Sequence, residues 1–237
     1  MKKLFFLILI PICSQAQKNI IKTNLMGDAI KNYNITYERS IARPLSISIG
    51  VRHMPKSKIA LKTQIEKLVD NQDFRINDFQ MGNTALTAEG RIYVGVKKMT
   101  GFYIAPYLRY SSFDFNMPIK NPNDQSGSSI IFNGKINATS AGLLMGVQHC
   151  IFKKLVLDFW ILGGHYGKSN GLLKASNITG MNDPAQIQNL QNTLDEFKEI
   201  GPFRTSSKVT SSTTAEIKTT GPWLGLRSFA LSVGYRF

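Results

Sequence analysis

The chain has 237 residues, 43% of them apolar, and a formal net charge of +14. That length fits one or two domains. No run beyond residue 16 reaches eighteen consecutive apolar residues, so a helical membrane protein is excluded.

The N-terminus reads as a processing segment. Met1-Lys2-Lys3 is basic, Leu4 to Ile12 is apolar apart from Pro11, and Ser14 and Ala16 supply the small residues a signal peptidase reads. This predicts a signal peptide over residues 1–16, cut after Ala16, and one domain over residues 17–237. Lipid attachment at Cys13 is disfavoured, because Ile12 stands where a small residue is wanted. Cleavage removes Lys2, Lys3 and Cys13. The charge then falls by two to about +12, and Cys150 alone remains, so no internal disulfide is possible. Export argues against nucleic acid and for anionic outer-membrane lipid and lipopolysaccharide phosphates as partners of the cationic surface.

Eight segments then alternate with period two, the mark of strands with two unlike faces. They span about Ile20–Asp28, Asn32–Ile41, Leu45–His53, Leu86–Val96, Phe102–Phe115, Ile136–Cys150, Leu155–Tyr166 and Trp223–Phe237. In the third, Leu45, Ile47, Ile49 and Val51 oppose Ser46, Ser48, Gly50 and Arg52. In the fourth, Ala88, Ile92 and Val94 oppose Glu89, Arg91 and Tyr93. Pro106 interrupts the fifth with a bulge or a lost bond, because proline cannot donate to a ladder. Gly163, Gly164 and Gly171 read as bend or bulge glycines, since no helix start follows them as a phosphate loop requires.

The connections alternate in length. Ala42-Arg43-Pro44, Lys98-Met99-Thr100 and Phe152-Lys153-Lys154 are tight, whereas Pro55–Ala85, Asn116–Ser129 and Ser169–Pro222 are long. In an antiparallel meander this puts short turns at one end and long loops at the other, the asymmetry of outer-membrane barrels. The pattern therefore predicts an all-β, eight-stranded antiparallel transmembrane up-and-down β-barrel, closed because an open edge in hydrocarbon leaves backbone groups unpaired, with long external loops bearing short helices. Asp183-Pro184 is a helix start, followed by Ile187, Leu190, Leu194 and Phe197 at helical spacing. Leu61, Ile65 and Leu68 repeat that spacing in the other long loop. Thr205–Thr220 is Ser/Thr-rich and either extends hairpins beyond the membrane or is mobile. Lys56, Lys58, Lys62, Lys174, Lys198 and Lys208 fall on the external side.

Parity assigns Glu38, Arg52, Glu89, Arg91, Arg109, Asp158 and Arg236 to a lumen charge network of structural role, each buried charge needing a partner. Arg39 falls outward. No catalytic, cofactor or metal residues are assigned: the three histidines, His53, His149 and His165, have no ligand spacing. Ser111, Ser112 and Asp114, near the height of His165, lie on a strand not adjacent to it in a meander. A structural or interaction role through the loops is expected, with a narrow pore as the alternative and a lipid-modifying enzyme disfavoured. A soluble β-sandwich would need Leu155-Leu157-Phe159-Ile161 and its counterparts to face a second sheet.

The alternating end Phe229, Leu231, Val233, Tyr235 and Phe237 resembles the C-terminal signal that hands barrels to the barrel-assembly machinery, with Ser232 where glycine is common. Aromatic residues there also suit a membrane interface. The stretch IKTNLMGDAIKNYNITYERSIARPLSISIGV resembles the opening of a small Bacteroidota outer-membrane barrel family of unknown function, of OmpA/OmpX-like type. The likeness is good over Lys22–Val51, fair over Glu89–Val96 and the last strand, and absent in the long loops. It implies an eight-stranded barrel in the cell outer membrane, and it brings no activity and no cofactor; the whole reading is of a monomer.

Overall fold

Period-two patterning makes strands here, and the strands close on themselves. The computed structural model describes residues 18–58, 78–95, 97–124, 128–179, 181, 183–196, 198–200 and 203–237. In chain order these hold β1 (Asn19–Asn24), α1 (Leu25–Ala29), β2 (Tyr33–Ser40), β3 (Leu45–Lys58), β4 (Gln80–Val94), β5 (Gly101–Lys120), β6 (Ser129–Ile151), β7 (Leu155–Ala175), α2 (Pro184–Asp195), β8 (Glu199–Ile200), β9 (Phe203–Ser211) and β10 (Thr214–Arg236). From β1 to β7 each strand pairs antiparallel with its sequence neighbour, β7 pairs with β10, and β10 pairs back with β1 to close a ring. β9 and β8 extend the sheet from the far part of β10. Phe237 takes part in the closure: its N–H donates to the Asn19 carbonyl at 2.9 Å and its carbonyl accepts from Asn19 at 3.0 Å. The predicted signal peptide and the Leu61, Ile65, Leu68 stripe lie outside the described residues.

The two ends of the ring differ. The tight turns before β3, β5 and β7 share one end with the start of β1 at Asn19 and with Phe237. At the other end β5, β6, β7 and β10 run on for 20, 23, 21 and 23 residues, against 6 and 8 in β1 and β2. The wall is therefore tall on one side and low on the other. Much of the expected Asn116–Ser129 loop is ladder, from Asn116↔Asn133 to Lys120↔Ser129. Polar residues sustain strands there because their alternate partners, Ile119, Ile130 and Phe132, enter an apolar core with Leu173, Ile217 and the Leu190 and Leu194 side chains of α2. The Ser/Thr-rich stretch is likewise a hairpin, β9 against β10. α2 starts as its sequence predicts: Pro184 opens it, Asp183 accepts from the Ala185 N–H, and Gln186 returns a bond to the Asp183 backbone. Phe197 falls outside the described residues. The Ser207 hydroxyl of β9 donates to Asp195 at 2.8 Å and holds that carboxyl below its ordinary value.

Two local features depart from the sequence reading, and at Pro106 one of its two alternatives is met. The first strand stops at Asn24 rather than Asp28, because the Asn24 side chain accepts from the Gly27 N–H and caps α1. At Pro106 there is no bulge. The β4–β5 ladder skips Gly90–Arg91 opposite Ala105–Pro106 and resumes in the same register, so a bond is lost and nothing more. The bulge lies elsewhere. The β6–β7 register shifts between Met145 and Gly146, leaving Ile161 extra in β7. Across from it, Phe229 of β10 has φ +49°. Beyond this level parity reverses in both strands, so the interior receives His165 and Ser169 from β7 and Arg227 from β10. Gly171, read as a bend or bulge, stands in regular ladder between Ile136 and Thr219.

The outer face carries a continuous apolar belt. Leu45, Ile47, Ile49, Val51, Ile92, Val94, Leu108, Leu143, Phe159, Leu162, Leu224 and Leu226 are all exposed there. The belt ends along one row of cross-strand neighbours, Tyr110–Thr139–Lys168–Pro222, and the next row is Ser112–Asn137–Asn170–Thr220.

Candidate functional site

Inward positions of β1, β2, β4, β7 and β10 bring their charges into one buried layer near the short-turn end. Lys22 Nζ sits 2.7 Å from Glu38 Oε2, 2.6 Å from Asp158 Oδ2 and 2.6 Å from the Gln148 amide oxygen. Arg91 pairs with Asp158 at 2.8 Å, Glu89 at 2.7 Å and Glu38 at 3.4 Å. Arg227 pairs with the other Glu89 oxygen at 3.0 Å. Three hydroxyls complete the carboxylates: Tyr93 and Ser46 each donate to Glu38 at 2.6 Å, and Tyr103 donates to Asp158 at 2.7 Å. Gln148 ties the layer to the turn, donating to the Met99 carbonyl at 3.0 Å. Lys22, Glu38, Glu89, Arg91 and Asp158 are all buried, so each charge depends on these partners. Linked bonds of this kind hold one another in place.

One glycine permits the layer. Tyr103 reaches Asp158 by lying across β6 over Gly146, where a Cβ would collide with the Tyr103 hydroxyl and meet the Phe159 carbonyl at 2.7 Å. Gly146→Ala is expected to destabilise the barrel by about 1–3 kcal/mol, the range for overpacking. A lowered midpoint of thermal or urea unfolding would show it, and an unchanged midpoint would mean that Tyr103 can be displaced freely.

Of the seven residues predicted for the network, Glu38, Glu89, Arg91 and Asp158 meet in this layer. Arg52 and Arg109 point inward farther from the turns and make no ion pair among the described residues. Arg52 donates to the Asn83 amide oxygen, and Arg109 donates to Ser111 and Thr87 at 3.1 Å each. Arg236 stands at the short-turn end of β10. It lines a recess at the short-turn end with Arg43, Lys97, Lys98 and Lys153, because the last residues of β10 lie below the layer. Sequence reasoning missed Lys22, Tyr103, Gln148 and Arg227 as members. Parity alone marks the first three as inward, but Arg227 needs the bulge at Phe229.

Of the histidine candidates, His53 Nδ1 lies 3.0 Å from the Thr84 hydroxyl, and His149 lines the recess at the short-turn end. His165 Nδ1 lies 3.0 Å from the Tyr107 hydroxyl. The Ser111 hydroxyl instead accepts from Arg109, and Asp114 pairs with Lys56 at 2.6 Å. Among the described residues no group of three His, Cys, Asp or Glu side chains is placed to hold a metal. Four of the six external lysines have surface partners: Lys56, Lys58 with Asp78, Lys174 with Glu216 and Lys198 with Asp195. Lys208 is exposed, and Lys62 lies outside the described residues.

The arrangement defines a class: a closed antiparallel β-barrel with a charged, hydrogen-bonded interior and an apolar exterior. The chain belongs to the family described as "Protein of unknown function (DUF3575)", whose model matches residues 3–177. A crystal structure of a major outer membrane protein from Thermus thermophilus is similar over 94% of this chain and 100% of that one, at 15% identity and a TM-score of 0.40. No curated protein matches the chain significantly. No helix among the described residues is long and apolar enough to cross a membrane.

Proposed function

We propose that the chain is exported by its N-terminal signal and inserts in the cell outer membrane as a monomeric eight-stranded transmembrane barrel, where it serves a structural or interaction role through its tall end. One observation carries this reading: the apolar belt faces outward while the ion pairs face inward, the reverse of a protein folded in water. A strand needs about 9–11 residues to cross a bilayer. β5, β6, β7 and β10 are roughly twice that, so half of each would stand outside the cell and carry α2 with its own apolar core. Four of the external lysines, Lys56, Lys58, Lys174 and Lys198, already hold carboxylates and would reach lipopolysaccharide phosphates by exchange, since such surface pairs are weak. Phe229, Leu231, Val233, Tyr235 and Phe237 would serve the assembly machinery during insertion.

The buried ion-pair layer favours a sealed barrel over a pore, since Arg91, Glu38, Asp158 and Gln148 fill the interior with fully buried side chains. The same commitment of every layer carboxylate to a cation favours a non-enzymatic role. The test is heat-modifiability of the native protein. Extracted from membranes in mild detergent, it is expected to migrate differently on SDS gels before and after boiling. Recovery in the soluble fraction with no mobility shift would overturn the membrane reading.

A further inference from the structure

The low side of the wall leaves a side opening. β10 pairs with β1 only from Ser232 to Arg236 and with β9 only from Thr214 to Thr220. Between these stretches, from Gly221 to Leu231, no described strand pairs with that edge. α1 stands beside it instead, because β1 gives way to the Asn24-capped turn at this level. The opening leads to a cavity of about 250 Å³. Its outer rim is apolar and exposed, with Ile30 at 72%, Leu226 at 82% and Phe229 at 69%. Its inner wall is cationic, formed by Arg52, Arg109 and Arg227 beside Trp160 and Asn32.

Two observations say that this cavity lacks a ligand's worth of partners. First, among the described residues four buried side-chain polar atoms have no hydrogen-bond partner. Three of them, Arg52 Nε, Trp160 Nε1 and Asn32 Oδ1, belong to residues lining this cavity; the first two are N–H donors that an anion would satisfy, whereas Asn32 Oδ1 is an acceptor that calls for a water or a hydroxyl. Buried polar groups are ordinarily satisfied, and a cluster of exceptions in one place marks a site. Second, among the described residues the interior cations outnumber the carboxylates. Lys22, Arg91 and Arg227 are paired within the layer by Glu38, Glu89 and Asp158. Arg52 and Arg109 are left with only neutral acceptors. Asp28 of α1 does not serve them, being held by the Thr23 hydroxyl at 2.5 Å and the Asn34 N–H at 3.3 Å. A guanidinium fork suits a carboxylate or phosphate.

We propose that this side opening binds an anionic amphiphile, its carboxylate or phosphate head held by Arg52 and Arg109 and its apolar tail leaving past Leu226 and Phe229 along the outer face. The volume equals about eight waters at roughly 30 Å³ each, enough for a headgroup and its first methylenes. The rest of the tail lies outside, where the belt would meet hydrocarbon. The tail's path therefore rests on the membrane reading, whereas the headgroup site rests on the cavity alone.

The chain has two tryptophans, Trp160 in the cavity wall and Trp223 elsewhere on β10. In a Trp223→Phe background of the full chain in non-ionic detergent, Trp160 fluorescence reports the site. Dibromostearate and a dibrominated phosphatidylglycerol are the anionic probes, and dibromostearyl alcohol is the neutral control. We expect saturable quenching by an anion, at least ten-fold weaker in both Arg52→Gln and Arg109→Gln, and no saturable quenching by the alcohol. Quenching by the fatty acid alone identifies a free amphiphile as the source, and quenching by the phospholipid alone identifies a membrane lipid. Equal quenching by the alcohol, unaltered affinity in both arginine variants, or no saturable quenching by either anion overturns the proposal. The gel-mobility shift is read on the same samples. A shift without quenching removes the site and leaves the membrane barrel, and quenching without a shift does the converse.

Discussion

Asp158→Ala is expected to destabilise the barrel by about 3–5 kcal/mol, the range for stripping one member from a buried ion-pair network. Asp158 accepts from Lys22, Arg91 and Tyr103 at once. Its removal leaves two fully buried cations with Glu38 and Glu89 alone, and Glu89 is already shared with Arg227. The penalty comes mostly from the orphaned cations rather than from the lost bonds. That distinction is measurable. Lys22→Met combined with Asp158→Ala removes a cation together with its acid, so the double variant should recover at least about 1 kcal/mol relative to the sum of the singles, as coupled neighbours do. The readout is the temperature at which the compact gel form is lost. A change under about 0.5 kcal/mol in Asp158→Ala, the size of an ordinary surface substitution, would mean that the layer is hydrated and does not hold the strands together.

How much of this was legible in the sequence follows from parity. Alternation in LSISIGV and AEGRIYV places Ser46, Ser48, Glu89 and Arg91 inward without reference to any partner, and the structure has them so. Parity has a range, however, and it ends at the first bulge. Counting back by twos from Phe237 puts Arg227 on the outer face, and counting forward from Leu155 does the same to His165. Both side chains are inside, because Ile161 and Phe229 each absorb one residue at the same level. Neither is a glycine, and Phe229 adopts a positive φ that its residue type does not advertise. The side opening was hidden for a related reason. It depends on β1 ending early, and the residues that end it, Leu25 and Met26, are as apolar as a strand would want. Only the Asn24 side chain, three residues before Gly27, signals a cap.

Strand length was misread for another reason. The tall halves of β5, β6 and β7 carry Asn, Lys and Ser where the belt carries Leu and Val, and polar residues between apolar runs read as loop. They are strand because Ile119, Phe132 and Leu173 on the facing side have α2 to bury against. The sequence shows the stripe on the helix and the alternation in the strands separately. Nothing local says that the two meet.

Ile49→Arg tests the other face, and its expected effect depends on the solvent outside the barrel. Ile49 is 51% exposed, in the middle of the β3 belt between Ile47 and Val51. In water such a substitution would fall within about 0.5 kcal/mol of neutral. In a bilayer an arginine near the midplane of the lipid-facing surface costs about 2–4 kcal/mol. The expected result, measured in phospholipid vesicles, is the second. Ser112→Arg, in the polar row beyond Tyr110, is the matched control and should be neutral in either medium. The pair separates three arrangements by pattern as well as by size. Loss at Ile49 alone supports hydrocarbon around the belt and water above the Tyr110 row. Neutrality at both positions would place the whole exterior in water and leave the exposed aliphatic belt without a solvent that favours it. Loss at both would mean that the bilayer, or a second protein surface, reaches past the row where the outer side chains turn polar. The boundary drawn along Tyr110–Thr139–Lys168–Pro222 would then have to move up the tall strands toward α2.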